Sequence, residues 1–502
     1  MPSYRPTEEA EEISTPPGSH GNGDFMSTHP LPTDALLRRF SDIVGERYAL
    51  ADPADQEPYL TEWRRLYHGR APLVLRPGSV EEVSRILALA SETGTPVVPQ
   101  SGNTGLVGGQ VPDDSGTEIV VSLSRLDRVR DVDADGFTMT VEAGVILERI
   151  QAEADAVDRL FPLSLASEGS CQIGGNISSN AGGTGVLAYG NTRDLVLGLE
   201  VVLPTGEIWN GLRRLRKDNT GYDLKHLFIG AEGTLGIVTA AVLKLVPKPA
   251  AREVAVAAVA TPREAIALFD RVRKVAGSSV VAFELMARRG LEFVLAHAEG
   301  SRDPLSEEHP WYVLIEIVSG RSRDEARAHL EEALGGALED GIVPDAVIAE
   351  SLDQAAALWR LRHMMSEVQL HEGGSIKHDV SVPIAAIPAF IEEATRAVLE
   401  VVPGARPVPF GHLGDGNLHF NISQPIGADK AAYLARWEEV NAAVHAVVTN
   451  HGGSISAEHG IGRLKRDLLP TVRSPIEVDM MKRVKAAFDP KGIMNPGRVL
   501  AG

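Results

Sequence analysis

Cysteine is all but missing from this chain: Cys171 stands alone among 502 residues. That excludes an intrachain disulfide framework and a multi-thiolate metal site, and it suits a reducing compartment. A positive charge balance is missing too. Lys and Arg number 49 against 68 Asp and Glu, a formal net charge of −19, which speaks against a nucleic-acid binder and its basic stripe. An anionic substrate would need its own local cluster of cations against the overall field. No apolar run reaches membrane-spanning length, so a soluble, cytoplasmic protein is expected. Residues 1–30 are acidic, rich in Pro, Gly and Ser, and lack a signal-peptide core or a basic transit pattern. They read as a disordered tail. The remainder has ordinary globular composition, 43% hydrophobic and 23% charged, in a chain too long for one core.

Glycine is plentiful, and its placement is the first positive signal. A short strand at 73–76 leads to Ser79 and Glu82, which form a capping box. Val83, Ile86, Leu87 and Ala90 then mark one helical face up to Gly94. A second strand from Pro96 runs into SGNTGLVGG (101–109). Such a loop leaves backbone N–H groups free to wrap an anion, a pyrophosphate above all, although glycine-rich loops also simply turn corners. The pattern predicts a strand over 137–143 and a helix from Gly144 to Ile150. A second glycine cluster, GSCQIGGNISSNAGGTGVLAYG (169–190), follows. Gly183, Gly185 and Ala188 fit the dinucleotide fingerprint in form only, since no strand precedes them and a turn follows, so a Rossmann nicotinamide site is rejected. Strands are predicted at 195–203, 207–209 and, with glycine punctuation, 227–238.

The segment GHLGDGNLHFNIS (411–423) carries the second signal. Its Gly-Asp-Gly-Asn core reads as a tight turn. Alternation beyond the turn places His419, Asn421 and Ser423 on one face and Leu418, Phe420 and Ile422 on the other. Neutral imidazole is a common ligand for zinc and similar ions, and two imidazoles need a third partner. SISAEHGIG (454–462) offers Glu458 beside His459. One reading has His412, His419 and Glu458 holding a divalent metal, with His459 as a catalytic base. The other is two hairpin histidines and an exposed Glu-His pair, and spacing alone favours it.

Pro247-Lys248-Pro249 reads as a boundary. Beyond it, strands at 254–259, 280–285 and 311–318 alternate with helices from Pro262, from Ala287 and over 324–334, an α/β arrangement on an antiparallel sheet. A helix over 352–370 would put Arg362 and Ser366 on one face. A strand over 376–382 would turn Lys377, Asp379 and Ser381 the same way. Arg362 can fork onto a carboxylate and Lys377 can add a second positive charge, while each alone reads equally as a snorkelling surface cation.

Six stretches in register, PQSGNTGLVGG, GSCQIGGNISSNAGG, RKDNTGYDLKHLFIGAEGTLGIVTA, GHLGDGNLH, SAEHGIG and DPKGIMNPGR, resemble the FAD-linked D-2-hydroxyacid dehydrogenases. That family belongs to the vanillyl-alcohol-oxidase type of flavoproteins, and the likeness spans about 67–498. KDNTGYDL and SAEHGIGRLKR are most similar to the D-2-hydroxyglutarate dehydrogenases. The resemblance implies an α+β fold. A FAD-binding domain over 31–248 would be followed by an α/β cap over 249–470 holding substrate and metal, and a C-terminal segment, 471–502, would return to the FAD domain.

The resemblance also implies roles. Ser101, Gly102, Asn103, Thr104 and Gly105 would cradle the FAD phosphates. Gly174, Gly175, Asn180 and Gly183 would run beside the ring and ribityl chain, Gly236, Ile237 and Val238 along the adenosine, and Asn495 near the ring. FAD would be non-covalent, with Cys171 a buried thiol. Arg362, Ser366, Lys377 and Asn421 would bind substrate, Ser366 replacing an expected Thr. His412, His419 and Glu458 would hold zinc, or manganese or iron, and His459 would take the hydroxyl proton. The expected reaction is D-2-hydroxyglutarate to 2-oxoglutarate, or oxidation of D-lactate or glycolate. A flavin oxidase and a non-catalytic flavoprotein are the rivals. Electrons would pass to an electron-transfer flavoprotein, quinone or cytochrome, and a homodimer is expected.

Overall fold

Ser79 accepts the Glu82 N–H at 3.3 Å and starts the helix Val80–Thr93, which ends at the left-handed Gly94. Glu82 reaches back to the Gly78 N–H (2.7 Å) instead of that of Ser79. The helix buries Val83, Ile86, Leu87 and Ala90 against a four-stranded sheet ordered Ala49–Leu50, Val74–Leu75, Ile119–Ser122, Val97–Gln100. Its last three strands are parallel, as strand–helix–strand units require. These elements come from a computed structural model that describes residues 29–501. The tail expected over 1–30 therefore lies outside the described residues but for its last two.

A five-stranded antiparallel sheet follows, in the order Val129–Asp133, Thr138–Glu142, Ile237–Lys244, Val196–Val202, Ile208–Gly211. The helix predicted from Gly144 begins only at Leu147. Gly144 instead allows a close backbone approach, since a Cβ there would lie 2.3 Å from the Leu123 carbonyl. The strand predicted over 227–238 is a short helix, Lys225–Phe228, then turns through Gly230, Gly233 and Gly236, and a strand only from Ile237. After Gly185 comes a four-residue helix, Val186–Tyr189, which the sequence does not predict, and the expected Tyr-Gly-Asn turn follows it through the left-handed Gly190. The element leading into these glycines is the helix Ile173–Ser179, not a strand.

The third sheet runs Ala346–Ile348, Ala251–Val259, Trp311–Ser319, Val280–Ala287, Arg406–His412, Asn417–Ser423, Ser375–Ile376, with Asp379–Ser381 also pairing on Asn417–Ser423. Every pairing is antiparallel. Helices Pro262–Ala276, Arg323–Glu339, Ile387–Val401 and Trp437–Asn450 cover one face through the largest apolar core, which takes in Leu418, Phe420 and Ile422. The opposite face carries Met286, Val408 and Phe410 under Arg288–His297 and Leu352–Met364. Among the described residues, no helix is long and apolar enough to cross a membrane.

The chain end returns to the first sheet. Val97 donates to the Ile493 carbonyl at 2.8 Å and accepts from the Asn495 N–H at 2.8 Å. Arg498, nearly fully buried, pairs with the equally buried Glu118 and donates to the Val111 carbonyl at 2.6 Å. Removing one partner strands a buried charge. Arg498→Met is therefore expected to destabilise the fold by about 3–5 kcal/mol, read as a lower urea midpoint.

Candidate active site

The hairpin of Arg406–His412 and Asn417–Ser423 pairs Phe410 with His419 and Val408 with Asn421. The neighbouring strand sets Glu284 opposite His412. On the far side, Ser375–Ile376 and Asp379–Ser381 pair with the same strand in one register, so Lys377 falls opposite Asn421 and Asp379 opposite His419. Directly opposed residues share a face. One sheet face thus brings together Glu284, His412, His419, Asn421, Lys377 and Asp379. Although the ladder breaks at Lys377 and His378, the predicted alternation survives as register.

Asp379 is the most heavily bonded of these. Oδ2 accepts the N–H groups of Ala457 (3.1 Å), Glu458 (3.0 Å) and His459 (2.9 Å), and Oδ1 accepts from Asn417 Nδ2 at 2.9 Å. Burial would favour its neutral form, but the neighbouring His459 and Lys465 and these N–H bonds hold its pKa well below the usual carboxylate range. The clamp delivers His459 Nδ1 to 3.7 Å from Asp379 Oδ2 and Glu458 Oε1 to 3.8 Å from His419 Nε2. Asp379, His419, Glu458 and His459 each offer a ligand atom within 4.8 Å of the others. Burial, with Arg362 and His412 close by, pulls the His419 pKa well below its ordinary value, which favours the neutral, metal-binding imidazole.

Of the expected metal ligands, His419 and Glu458 belong to this group and His412 stands just outside it, its ring centre 5.7 Å from that of His419. His412 Nδ1 lies 2.7 Å from Glu284 Oε1, and Arg362 Nε donates to Glu284 Oε2 at 2.8 Å. Burial opposes charge on Glu284, yet the facing His412 and Arg362 outweigh it and lower its pKa. A carboxylate holding one ring nitrogen is the usual support for an imidazole whose other nitrogen meets a metal. The residues whose ligand atoms could hold a divalent ion together are therefore Asp379, His419, Glu458 and His459, with His412, braced by Glu284, beside them and not among them. Glu284 is absent from the residues expected on sequence grounds. The available signal was a lone carboxylate inside the apolar strand VVAFELMA, which must find a partner when buried.

The helix predicted to reach residue 370 stops at Met364, and a 3-10 turn occupies Val368–Glu372. Ser366 therefore does not share a helical face with Arg362. It meets Lys377 instead, whose Nζ donates to the Ser366 carbonyl (2.8 Å) and is 3.1 Å from its hydroxyl. Burial, helped by the Arg64 charge, brings the Lys377 pKa down to about 8.

The glycine-rich loops lie across from this face. Glu458 Oε2 accepts the Gly183 N–H at 2.9 Å, tying the cluster to the first half of the chain. Cβ atoms at Gly174 and Gly175 would each come within 3.2 Å of the Ser101 side chain, so Ser101 packs against the start of the helix Ile173–Ser179. Thr104 is half-buried there and Gly105 exposed. Asn103 Oδ1, Gln172 Oε1, Asn176 Oδ1 and Asn495 Oδ1 are buried without a partner, while Asn103 and Asn495 spend their amide donors on backbone carbonyls. Unpaired oxygens beside backbone crevices fit a polar ligand such as FAD with hydroxyl and imide donors. Asn180, left-handed, ends the helix Ile173–Ser179 and accepts the Arg193 N–H. Gly236 leads into the buried Ile237 and Val238 of the central strand of the five-stranded sheet. Cys171 is buried, and burial raises its thiol pKa.

The model for the FAD-linked oxidase C-terminal domain matches 248–499, and the FAD-binding domain model matches 71–211. D-2-hydroxyglutarate dehydrogenase of Xanthomonas citri pv. viticola is 41% identical, covering 93% of this chain and 97% of its own. The mitochondrial D-2-hydroxyglutarate dehydrogenase of Arabidopsis thaliana is 38% identical, with 92% and 80% covered. This chain belongs to the FAD-linked D-2-hydroxyacid dehydrogenase family. Like these relatives, it is an oxidoreductase with an FAD-binding domain. The fold is of the vanillyl-alcohol-oxidase type, as the resemblance implied. A substrate-bound p-cresol methylhydroxylase structure superposes with a TM-score of 0.73 at 16% identity, covering 93% of this chain and 98% of that one.

In this family setting the glycine cradle is open to test. A Cβ at Gly102 would lie 2.6 Å from the Ser170 carbonyl and 2.9 Å from Cys171 Cα, both backbone atoms that must give way. Overpacking of this kind costs about 1–3 kcal/mol. Gly102→Ala is expected to lower FAD content roughly tenfold, measured by flavin absorbance of the purified protein.

Proposed function

We propose that this dehydrogenase oxidises D-2-hydroxyglutarate to 2-oxoglutarate. The observation that carries the reading is the joining of His419, Glu458 and His459 at one point, with Glu458 bonded to the Gly183 N–H of the FAD-binding half. Bound FAD, held non-covalently, supplies the hydride acceptor. A divalent ion on His412, His419 and Glu458, zinc by its ligand chemistry, would polarise the 2-hydroxyl. His459 takes the hydroxyl proton as the C2 hydride departs to the flavin, with Asp379 Oδ2 3.7 Å from its Nδ1. Asn421 offers its amide to the substrate from the His419 face.

Two cations serve the carboxylates. Arg362 already faces Glu284, so Lys377, whose hydrogen bonds run to neutral Ser366 atoms, is the charge more open to a substrate carboxylate. A D-lactate or glycolate enzyme would need only one of the two. The reoxidant is an electron-transfer flavoprotein, quinone or cytochrome.

Anaerobic mixing with D-2-hydroxyglutarate should bleach the flavin, and prior chelation should prevent bleaching while sparing the oxidised spectrum. His459→Ala should slow bleaching by about 10²–10⁴-fold with FAD retained. Unchanged reduction in that variant would remove His459 from the mechanism.

The Lys377 charge gives a pH signature. With its pKa at about 8, the lysine is cationic below that value and neutral above it. Efficiency with the dicarboxylate should therefore fall as pH rises through about 8, and D-lactate should feel this less. Lys377→Met should abolish that limb and cost about 10–100-fold in kcat/KM for D-2-hydroxyglutarate, the worth of one charged hydrogen bond.

A further inference from the structure

The loop that carries Glu458 and His459 has no helix or strand between Ser456 and Gly462, so its backbone N–H groups need partners from elsewhere. Asp379, on the cap sheet, takes those of Ala457, Glu458 and His459. The next pair goes to the other half of the molecule. Glu232 Oε1 accepts the Ile461 N–H at 2.7 Å, and Oε2 accepts that of Gly462 at 2.8 Å.

Glu232 is itself rigidly held. Its N–H donates to the Ser178 carbonyl at 2.8 Å, and its own carbonyl accepts from Asn495 Nδ2 at 2.8 Å. Its φ is +52°, a left-handed conformation uncommon for a residue with a side chain. Glycines surround the carboxylate closely. A Cβ at Gly460 would stand 2.7 Å from Oε1, and one at Gly109 would stand 3.2 Å from Oε2. A long acidic side chain in a strained backbone, fitted into a glycine-lined slot, has a purpose beyond turning the chain.

We infer that Glu232 is a positioning residue for the reaction, its carboxylate registering the Glu458–His459 loop against the FAD-binding domain while Asp379 registers it against the cap sheet. The inference rests on the proposed roles of Glu458 and His459. A displacement of about 1 Å at such groups is enough to cost roughly 100-fold in rate.

Glu232→Gln keeps the shape but turns an amide N–H₂ toward one of the two backbone donors. In the FAD-loaded protein, we expect hydrogen exchange of the 456–464 amides to rise selectively. Flavin reduction by D-2-hydroxyglutarate should slow about 10–100-fold with KM changed less than about threefold. The isotope effect with C2-deuterated substrate should become fully expressed. Should Glu232→Gln not accumulate as folded flavoprotein, Glu232→Asp, which keeps the charge and tolerates the left-handed backbone but draws the carboxylate away from the Ile461 and Gly462 N–H groups, carries the same measurements. Exchange of 456–464 unchanged, or reduction within about twofold of wild type, overturns the inference. If no hydroxyacid reduces the wild-type flavin, the proposed function fails, and the exchange measurement alone still decides whether Glu232 holds the loop.

Discussion

The Asp379 carboxylate, buried and accepting three successive backbone N–H groups at Ala457, Glu458 and His459, is the contact on which the site depends. A carboxylate so bonded is stable only as an anion. That anion sits directly opposite His419 in the sheet register and 3.7 Å from His459, so it fixes the loop and sets the charge seen by two imidazoles. An apolar residue there would leave three N–H groups unanswered and remove the counter-charge. Geometry and electrostatics are here properties of a single side chain.

Glu284 combines the same two roles elsewhere on the cap sheet. It lies between Arg362 and His412 on a strand otherwise built from apolar residues. A buried pair such as Arg362–Glu284 contributes little net stability, because desolvation offsets the attraction, but removing one member leaves an uncompensated charge. Such a cluster therefore specifies orientation more than it stabilises the fold. The two cations of this face consequently differ, because Arg362 comes to the sheet already engaged by Glu284 while Lys377 is bonded to neutral Ser366 atoms.

The cap sheet was legible wherever alternation and a turn agreed. The 411–423 hairpin, the pairing faces of His419 and Leu418, and the strands near 254, 280 and 311 all appear at or near the predicted positions. The errors fall where packing and side-chain hydrogen bonds, rather than propensity, set the ends of an element. The helix from Leu352 stops at Met364 without a glycine or proline to announce it. Its last turn is closed by the Gln369 amide on the Met365 carbonyl (2.8 Å), and the Ser366 carbonyl beyond it by Lys377. Gln369 is near in sequence and Lys377 farther on, but a side-chain donor that closes a carbonyl leaves no mark in the hydrophobic periodicity. Gly144 misled for a related reason. It reads as a helix start, yet the neighbouring 123–126 backbone is what requires it.

The motif SAEHGIG was readable as a string, and its geometry was not, for a reason that applies to the whole site. A segment without secondary structure brings no internal hydrogen-bond frame, so its shape is inherited from whatever accepts its N–H groups. Here the acceptors stand on both halves of the molecule, Asp379 on one side and Glu232 on the other, with the Val107 carbonyl taking the next two N–H groups, of Arg463 and Leu464. The positions of Glu458 and His459 are thus fixed by where the two halves meet. Neither half would present them correctly alone. A loop held in this way couples the placement of Glu458 and His459 to the docking of the two halves, so the buried tie of the C-terminus through Asn495 to Gly109 and Glu232 belongs to the same frame.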